Sequence, residues 1–162
     1  MPVIHLTTAI NAPRERVFDL ARSIEFHQAS TGDTGERAVA GVTTGLIGAG
    51  QEVTWEARHL GVRQRLRVRL TACNRPDSFQ DVMLQGAFSL MRHDHTFTGN
   101  DGQTVMTDRF EFRSPLGPLG WLVDRLFLTG YMQRFLETRN AILKRTAESD
   151  DWRRYLGIGN YE

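Results

Sequence analysis

The sequence predicts an α+β domain in which a single antiparallel sheet of about seven strands grips one long C-terminal helix. Three observations carry that reading. The element order along the 162 residues is strand, two helices, six strands and one long helix, with no internal repeat and no linker. From Gln51 onward, apolar and polar residues alternate with the period of two of half-buried strands. After Pro115 and Pro118 the period changes to that of a helix, running from about Leu119 to Ala147.

Each element follows from local pattern. "VIHLTTAI" is β-branched and apolar enough for a first strand. In "NAPRERVFDLARS", Asn11 is placed to cap a helix and Pro13 sits where an early helical proline is tolerated. Val17, Phe18 and Ala21 then face inward as far as about Ser23. "IEFHQAS" forms a second short helix, "STGDTG" breaks the chain, and "ERAVAGV" is an edge strand followed by the glycine-rich loop "TTGLIGAG". That loop has phosphate-loop composition, but a strand follows it, so no helix N-terminus is available to hold an anion.

In "QEVTWEARH", Val53, Trp55 and Ala57 point one way while Glu52, Thr54, Glu56 and Arg58 point the other. In "VRQRLRVRL", Val62, Gln64, Leu66, Val68 and Leu70 face in, against Arg63, Arg65, Arg67 and Arg69. A tight turn at Leu60-Gly61 sets Glu56 opposite Arg65 and Glu52 opposite Arg69, so the register that buries the apolar face also pairs opposite charges. The arginine row therefore reads as a solvated sheet face rather than a nucleic-acid stripe. "DSFQDVML", "SLMRHDHTFT" and "TVMTDRFEFR" supply three further strands, the last two joined by a turn at residues 99 to 102. In the final helix Leu122, Leu126, Phe135, Leu136, Ile142 and Leu143 are the buried candidates. Trp121 and Tyr131 read as core, and Gly130 allows a bend or a close approach.

Composition narrows the function classes. Twenty basic against nineteen acidic residues, net +1, leave no global field to draw in nucleic acid or an anionic membrane. Cys73 is the single cysteine, which excludes an intrachain disulfide framework. "MPVIHLTTAI" lacks the pattern of a signal peptide, so the expected location is cytoplasmic. The stretch from Leu119 to Met132 is interrupted by Asp124 and Arg125 and is too short to span a bilayer. The expected domain covers residues 1–148 with a tail at 149–162, as a monomer or weak homodimer.

The chemistry concentrates in "LMRHDHTFTGN". Strand alternation puts Met91, His93, His95 and Phe97 on the inward face, and Asp94 outward with Arg92 and Thr96. The next strand turns Met106, Asp108, Phe110 and Phe112 inward. With Asn100-Asp101 as a two-residue turn, His95 falls opposite Met106, and His93 opposite Asp108. A carboxylate beside an imidazole raises its pKa and fixes its tautomer. Such a pair serves equally a ligand-orienting wall, a satisfied structural contact, or acid/base catalysis. Asp81, with Phe79 and Met83 on the preceding strand, and His59 at a strand end are further inward polar candidates. Arg139 on the helix is an ion-pair anchor or a contact for an anionic ligand group. His-x-His is also a metal-type spacing, as in cupins, but Thr96, Phe97, Thr98 and Gly99 stand where a cupin glutamate would follow. No metal and no cofactor are expected.

Over nearly its whole length the chain resembles the START-like, or SRPBCC, helix-grip superfamily, which includes polyketide cyclase/dehydrase-like, pollen-allergen-like and lipid-transfer proteins. The resemblance rests on "INAPRERVFDLA", "GQEVTWEARHLGVRQRL", "FQDVMLQGAFSLMRHDHTF" and "MTDRFEFRSPLGPLGWLVDRLF...FLETRNAILK". It implies a curved sheet, an incomplete barrel around the C-terminal helix, with an apolar cavity between them opening near the glycine-rich loop. A small hydrophobic or aromatic ligand is the implied partner. The expected sheet contacts are Trp55, His59, Asp81, Met83, Met91, His93, His95, Met106, Asp108, Phe110 and Phe112. From the helix come Leu126, Tyr131, Phe135 and Arg139. If the protein is an enzyme of the cyclase, dehydratase or hydrolase type, His93 and Asp108 are its catalytic pair.

Overall fold

The computed structural model describes residues 1–157 apart from Asp101 and Leu116. Residues 158–162 of the expected tail, and Asp101 of the expected turn, lie outside the described residues. The strands are β1 (Val3–Ile10), β2 (Arg37–Gly41), β3 (Glu52–His59), β4 (Val62–Asn74), β5 (Ser78–Gln85), β6 (Leu90–Thr98) and β7 (Thr104–Arg113). They form one curved antiparallel sheet in the order β1-β7-β6-β5-β4-β3-β2. The helices α1 (Arg14–Ala21) and α2 (Ile24–Ser30) connect its two edge strands. The C-terminal segment comprises α3 (Gly117–Val123), a π-helical turn (Asp124–Leu128) and α4 (Thr129–Glu148), and α4 packs against β1, α1 and α2.

Aromatic packing fills the space between sheet and helices. Phe18 of α1 lies edge-on to Phe79 and Phe97, with ring centroids 5.4 and 5.3 Å away. Burying a ring of this kind contributes about 2–3 kcal/mol. The β3–β4 hairpin has the register that alternation and charge pairing predict, Glu52 opposite Arg69 and Glu56 opposite Arg65. Leu60 and Gly61 both take positive φ, 52° and 79°, as a two-residue turn of this twist requires. Glu52 receives Arg67 Nε at 2.8 Å and Arg69 Nε at 2.9 Å, and Glu56 receives Arg65 Nε at 3.0 Å.

The β6–β7 pairing differs from expectation by two residues: Thr98 pairs with Val105, His95 with Asp108, and His93 with Phe110. Gly99 is the cause. Its φ is 138°, and a Cβ there would lie 2.1 Å from the Gln103 carbonyl oxygen, while Gln103 N–H closes a turn onto Asn100 O at 3.1 Å. The connection is thus longer than a two-residue hairpin. A shift of two preserves which face each side chain occupies, so the inward set survives while its partners change.

Two helix boundaries also move. Pro13, not Asn11, stands at the N-cap of α1, and α1 stops at Ala21. Ser23 begins α2 instead, its Oγ accepting from Phe26 N–H at 3.2 Å. The expected continuous C-terminal helix is broken at Asp124–Leu128 rather than bent at Gly130. Asp124 is buried and accepts from both the N–H and the hydroxyl of Ser114 at the end of β7, and Thr129 N–H bonds back to Asp124 O, the i to i+5 bond of a π turn. That anchoring turns the flanking side chains outward. Trp121, Leu122 and Leu126, expected in the core, are 52%, 44% and 75% exposed. Residues beyond 148 pack on the domain as far as Leu156: Trp152 is buried in the core, and Tyr155 meets Phe26 edge-on at 5.4 Å. Among the described residues no helix is long and apolar enough to cross a membrane.

Candidate functional site

Between the inner face of the sheet and α4 lies a cavity of about 320 Å³. Val53, Trp55, Val68, Phe79, Phe110 and Leu136 give it a largely apolar wall, and the α1–α2 junction and Ile47 close one side. The glycine-rich loop was expected to form the opening. It is tied down instead, with Gly45 N–H on Glu25, Ile47 N–H on Arg22 O, and Gly50 N–H on Leu70 O at 2.7 Å. The wall residues that reach solvent are Leu60, Arg65, Ala87, Val123 and Phe127, which puts the mouth at the β3–β4 turn, the β5–β6 connection and the π turn.

Ten of the expected contacts border this space: Trp55, His59, Asp81, Met91, His93, His95, Phe110, Tyr131, Phe135 and Arg139. Five do not. Met83 packs against the edge of the core, Met106 and Phe112 are fully buried beneath the wall, Leu126 points to solvent, and Asp108 sits behind the histidines.

Asp108 is the hub of the first polar cluster. Its Oδ1 meets His93 Nε2 at 3.0 Å and His95 Nδ1 at 2.8 Å, and its Oδ2 accepts from Asn140 Nδ2 on α4 at 2.6 Å. The approach of His95 lies off the line of the ring N–H, so it is an ion-pair contact more than a directed hydrogen bond. His95 Nε2 lies 3.3 Å from Asp81 Oδ2. Both of its nitrogens therefore face carboxylates. Burial opposes charge on His95, but Asp108 and Asp81 outweigh it and raise its pKa. His93, whose ring centroid is 3.8 Å from that of His95, is pushed down to about 4 by burial and by the neighbouring charge, against the pull of Asp108. Asp108 is held well below the usual carboxylate range because its two histidines outweigh its burial. The two rings thus differ: His95 holds a proton more firmly than a free imidazole, whereas His93, neutral at pH 7, gives its Nε2–H to Asp108 and leaves Nδ1 as an acceptor.

Asp81, His93 and His95 also present ligand atoms within 4.8 Å of one another, a two-histidine, one-carboxylate set behind which Asp108 orients the rings. They would suit a divalent transition metal once His95 gives up its proton, since an imidazolium has no lone pair to donate.

A second polar cluster in the wall joins two expected contacts, His59 and Tyr131, to two residues absent from the expected set, Glu36 and His27. Glu36, at the start of the β2 strand region, meets His27 Nε2 at 2.5 Å and His59 Nε2 at 3.4 Å, and His59 Nδ1 meets the Tyr131 hydroxyl at 2.9 Å. His27 stacks on Trp55 with centroids 4.0 Å apart. The two histidines outweigh burial and bring Glu36 down to about 2, whereas burial and the Glu36 charge raise the Tyr131 phenol. The one sequence signal for it is an acidic residue opening an otherwise apolar edge strand.

A family model described as polyketide cyclase/dehydrase and lipid transport matches residues 1–148. Among solved structures, TTHA0849 from Thermus thermophilus is similar with a TM-score of 0.74 at 20% identity, covering 90% of this chain and 97% of that one. A START superfamily protein from Mycobacterium smegmatis gives 0.68 at 13% identity, covering 90% and 97%, and CV1439 from Chromobacterium violaceum gives 0.73 at 12%, covering 93% and 100%. No curated protein matches the sequence. At these identities the structural likeness speaks for the fold, and fold alone assigns no reaction. With the family model running from β1 to the end of α4, the chain belongs to the polyketide cyclase/dehydrase and lipid transport family and has the START-like helix-grip fold.

Proposed function

We propose that the protein binds a small hydrophobic or aromatic molecule in the cavity between sheet and α4, as a carrier or sensor. One observation carries the reading: the wall is mostly apolar, yet two buried polar clusters interrupt it, the combination by which a pocket gains affinity from burial and orientation from a few polar atoms. Ala57 offers the test, because it borders the cavity from β3 beside Trp55 and His59. Ala57→Trp, filling that space, is expected to weaken uptake of the neutral fluorescent probe N-phenyl-1-naphthylamine by more than about ten-fold. Leu126→Trp, on the solvent side of the π turn, leaves uptake unchanged. Equal binding by all three proteins rejects the cavity as the binding place.

A second reading, an acid/base enzyme of the cyclase or dehydratase type, is favoured by the arrangement of one pair. His93 borders the cavity, Asp108 stands behind it, and a pKa of about 4 keeps the ring unprotonated at neutral pH. If His93 acts as a base, 2-decanone incubated with the protein in deuterium oxide exchanges its α-protons faster than with His93→Gln. Equal exchange rates reject this role.

A further inference from the structure

We propose that the cavity's ligand is an apolar monocarboxylate whose carboxylate is bound by Arg139. The inference rests on the ligand-binding reading above and adds the charge of the ligand. It follows from a census of the charged wall residues. Arg22 is paired with Asp19 at 2.6 Å, Arg65 with Glu56 at 3.0 Å, Asp81 with His95 at 3.3 Å, and Glu36 lies between His27 and His59. Arg139 differs from all of them. It is only 5% exposed, and among the described residues no carboxylate stands within ion-pair distance of it. Nη2 donates to Ala21 O at 3.1 Å, and Nε is buried with no acceptor.

Ala21 ends α1, so the Nη2 contact is a helix C-terminal cap. The cap accounts for one donor of five and leaves the positive charge without a counter-ion. A guanidinium cannot shed its proton at any ordinary pH, and a buried charge without a partner is costly. A carboxylate entering the cavity removes that cost and supplies charge-assisted hydrogen bonds to donors otherwise unused. Wall residues on the same helix, Phe135 and Leu136, are apolar, so the remainder of the ligand is apolar too. Proximity to His93 is consistent with this placement, since the Arg139 charge is among the influences acting on that ring. A single guanidinium with no carboxylate beside it matches a monoanion, and the carboxylates of Asp81 and Asp108 in the neighbouring cluster disfavour a dianionic phosphate monoester.

The test compares ligands of equal chain length and different charge. Displacement of N-phenyl-1-naphthylamine is measured at pH 8 with decanoate, with decan-1-ol and with decyl phosphate. Decanoate is expected to act at about ten-fold lower concentration than decan-1-ol, although the alcohol is the more hydrophobic, and also to act at lower concentration than decyl phosphate. Arg139→Met is expected to collapse the decanoate-to-decanol ratio toward one, and Arg139→Lys to retain part of it. The ratio is read, not the absolute affinity. Equal displacement by the acid and the alcohol in the wild type, a ratio unchanged in Arg139→Met, or stronger displacement by decyl phosphate overturns the proposal. The wild-type comparison stands even if Arg139→Met does not fold. Failure of the neutral probe to bind the wild type would instead reject the apolar-cavity reading, so the two failures are distinguishable.

Discussion

Replacing Asp108 by alanine is expected to lower the unfolding free energy by about 3–5 kcal/mol, read as a fall in urea midpoint at unchanged slope. The carboxylate is 1% exposed and serves His93, His95 and Asn140 at once. Its removal leaves three buried polar groups with fewer partners, and one of them, His95, owes its raised pKa largely to this carboxylate. Asp108→Asn separates geometry from charge. The amide keeps the volume and one oxygen, but it no longer stabilises the imidazolium, so the pKa of His95, read by NMR titration, is expected to fall from its raised position. An unchanged His95 titration in Asp108→Asn would mean that Asp81 alone raises the His95 pKa.

What alternation can reveal and what it cannot is visible by comparing two hairpins. In β3–β4, two tests applied at once: the apolar face had to be buried and the charges on the other face had to match, and a Leu-Gly turn satisfies both. The predicted register is the observed one. In β6–β7 the same charge test was there to apply, since the observed register sets Arg92 opposite Glu111 and Asp94 opposite Arg109 where a two-residue turn sets Arg92 against Arg109. The expectation rested on turn length alone, and the turn at Gly99 is longer by two. His93 and Asp108 meet nonetheless, because Asp108 lies across from His95 and the neighbouring ring reaches the same oxygen diagonally. In the C-terminal helix, apolar periodicity continues through residues 119–127, yet Asp124 is fastened to Ser114 and rotates that segment outward. A long-range hydrogen bond of this kind has no signature in local spacing. The Glu36 cluster was half legible: His59 and Tyr131 were expected contacts, but His27 and Glu36 come from separate stretches of chain that join them only once the sheet edge folds against α2 and α4.

On acidification the fold is expected to lose stability in two separable limbs. His93 titrates at about 4 in the fold against 6.5 ordinarily, so between those values the unfolded chain takes up a proton that the folded one refuses. Stability therefore falls as pH drops from 6.5 to 4, by about 3 kcal/mol at most from this ring. Glu36 titrates at about 2 against 4.5, so its contribution, again about 3 kcal/mol at most, is complete above 4.5 and lost as pH falls toward 2. Asp108, held below its usual 3.8, adds to that lower limb. His95 works in the opposite direction: its raised pKa favours the fold fully below 6.5 and is lost as pH rises through the folded value. Stability should peak near pH 6.5, and the summed acid loss is comparable with the whole stability of a domain this size. Urea midpoints measured from pH 8 to pH 3 check this. His93→Gln should flatten the limb between 6.5 and 4, and Glu36→Gln the limb below 4.5. Because Glu36 and His93 share no hydrogen-bond partner, the double variant should show the sum of the two changes. A coupled response would instead mean that the two polar clusters communicate through the cavity, as they would if a single bound molecule spanned both.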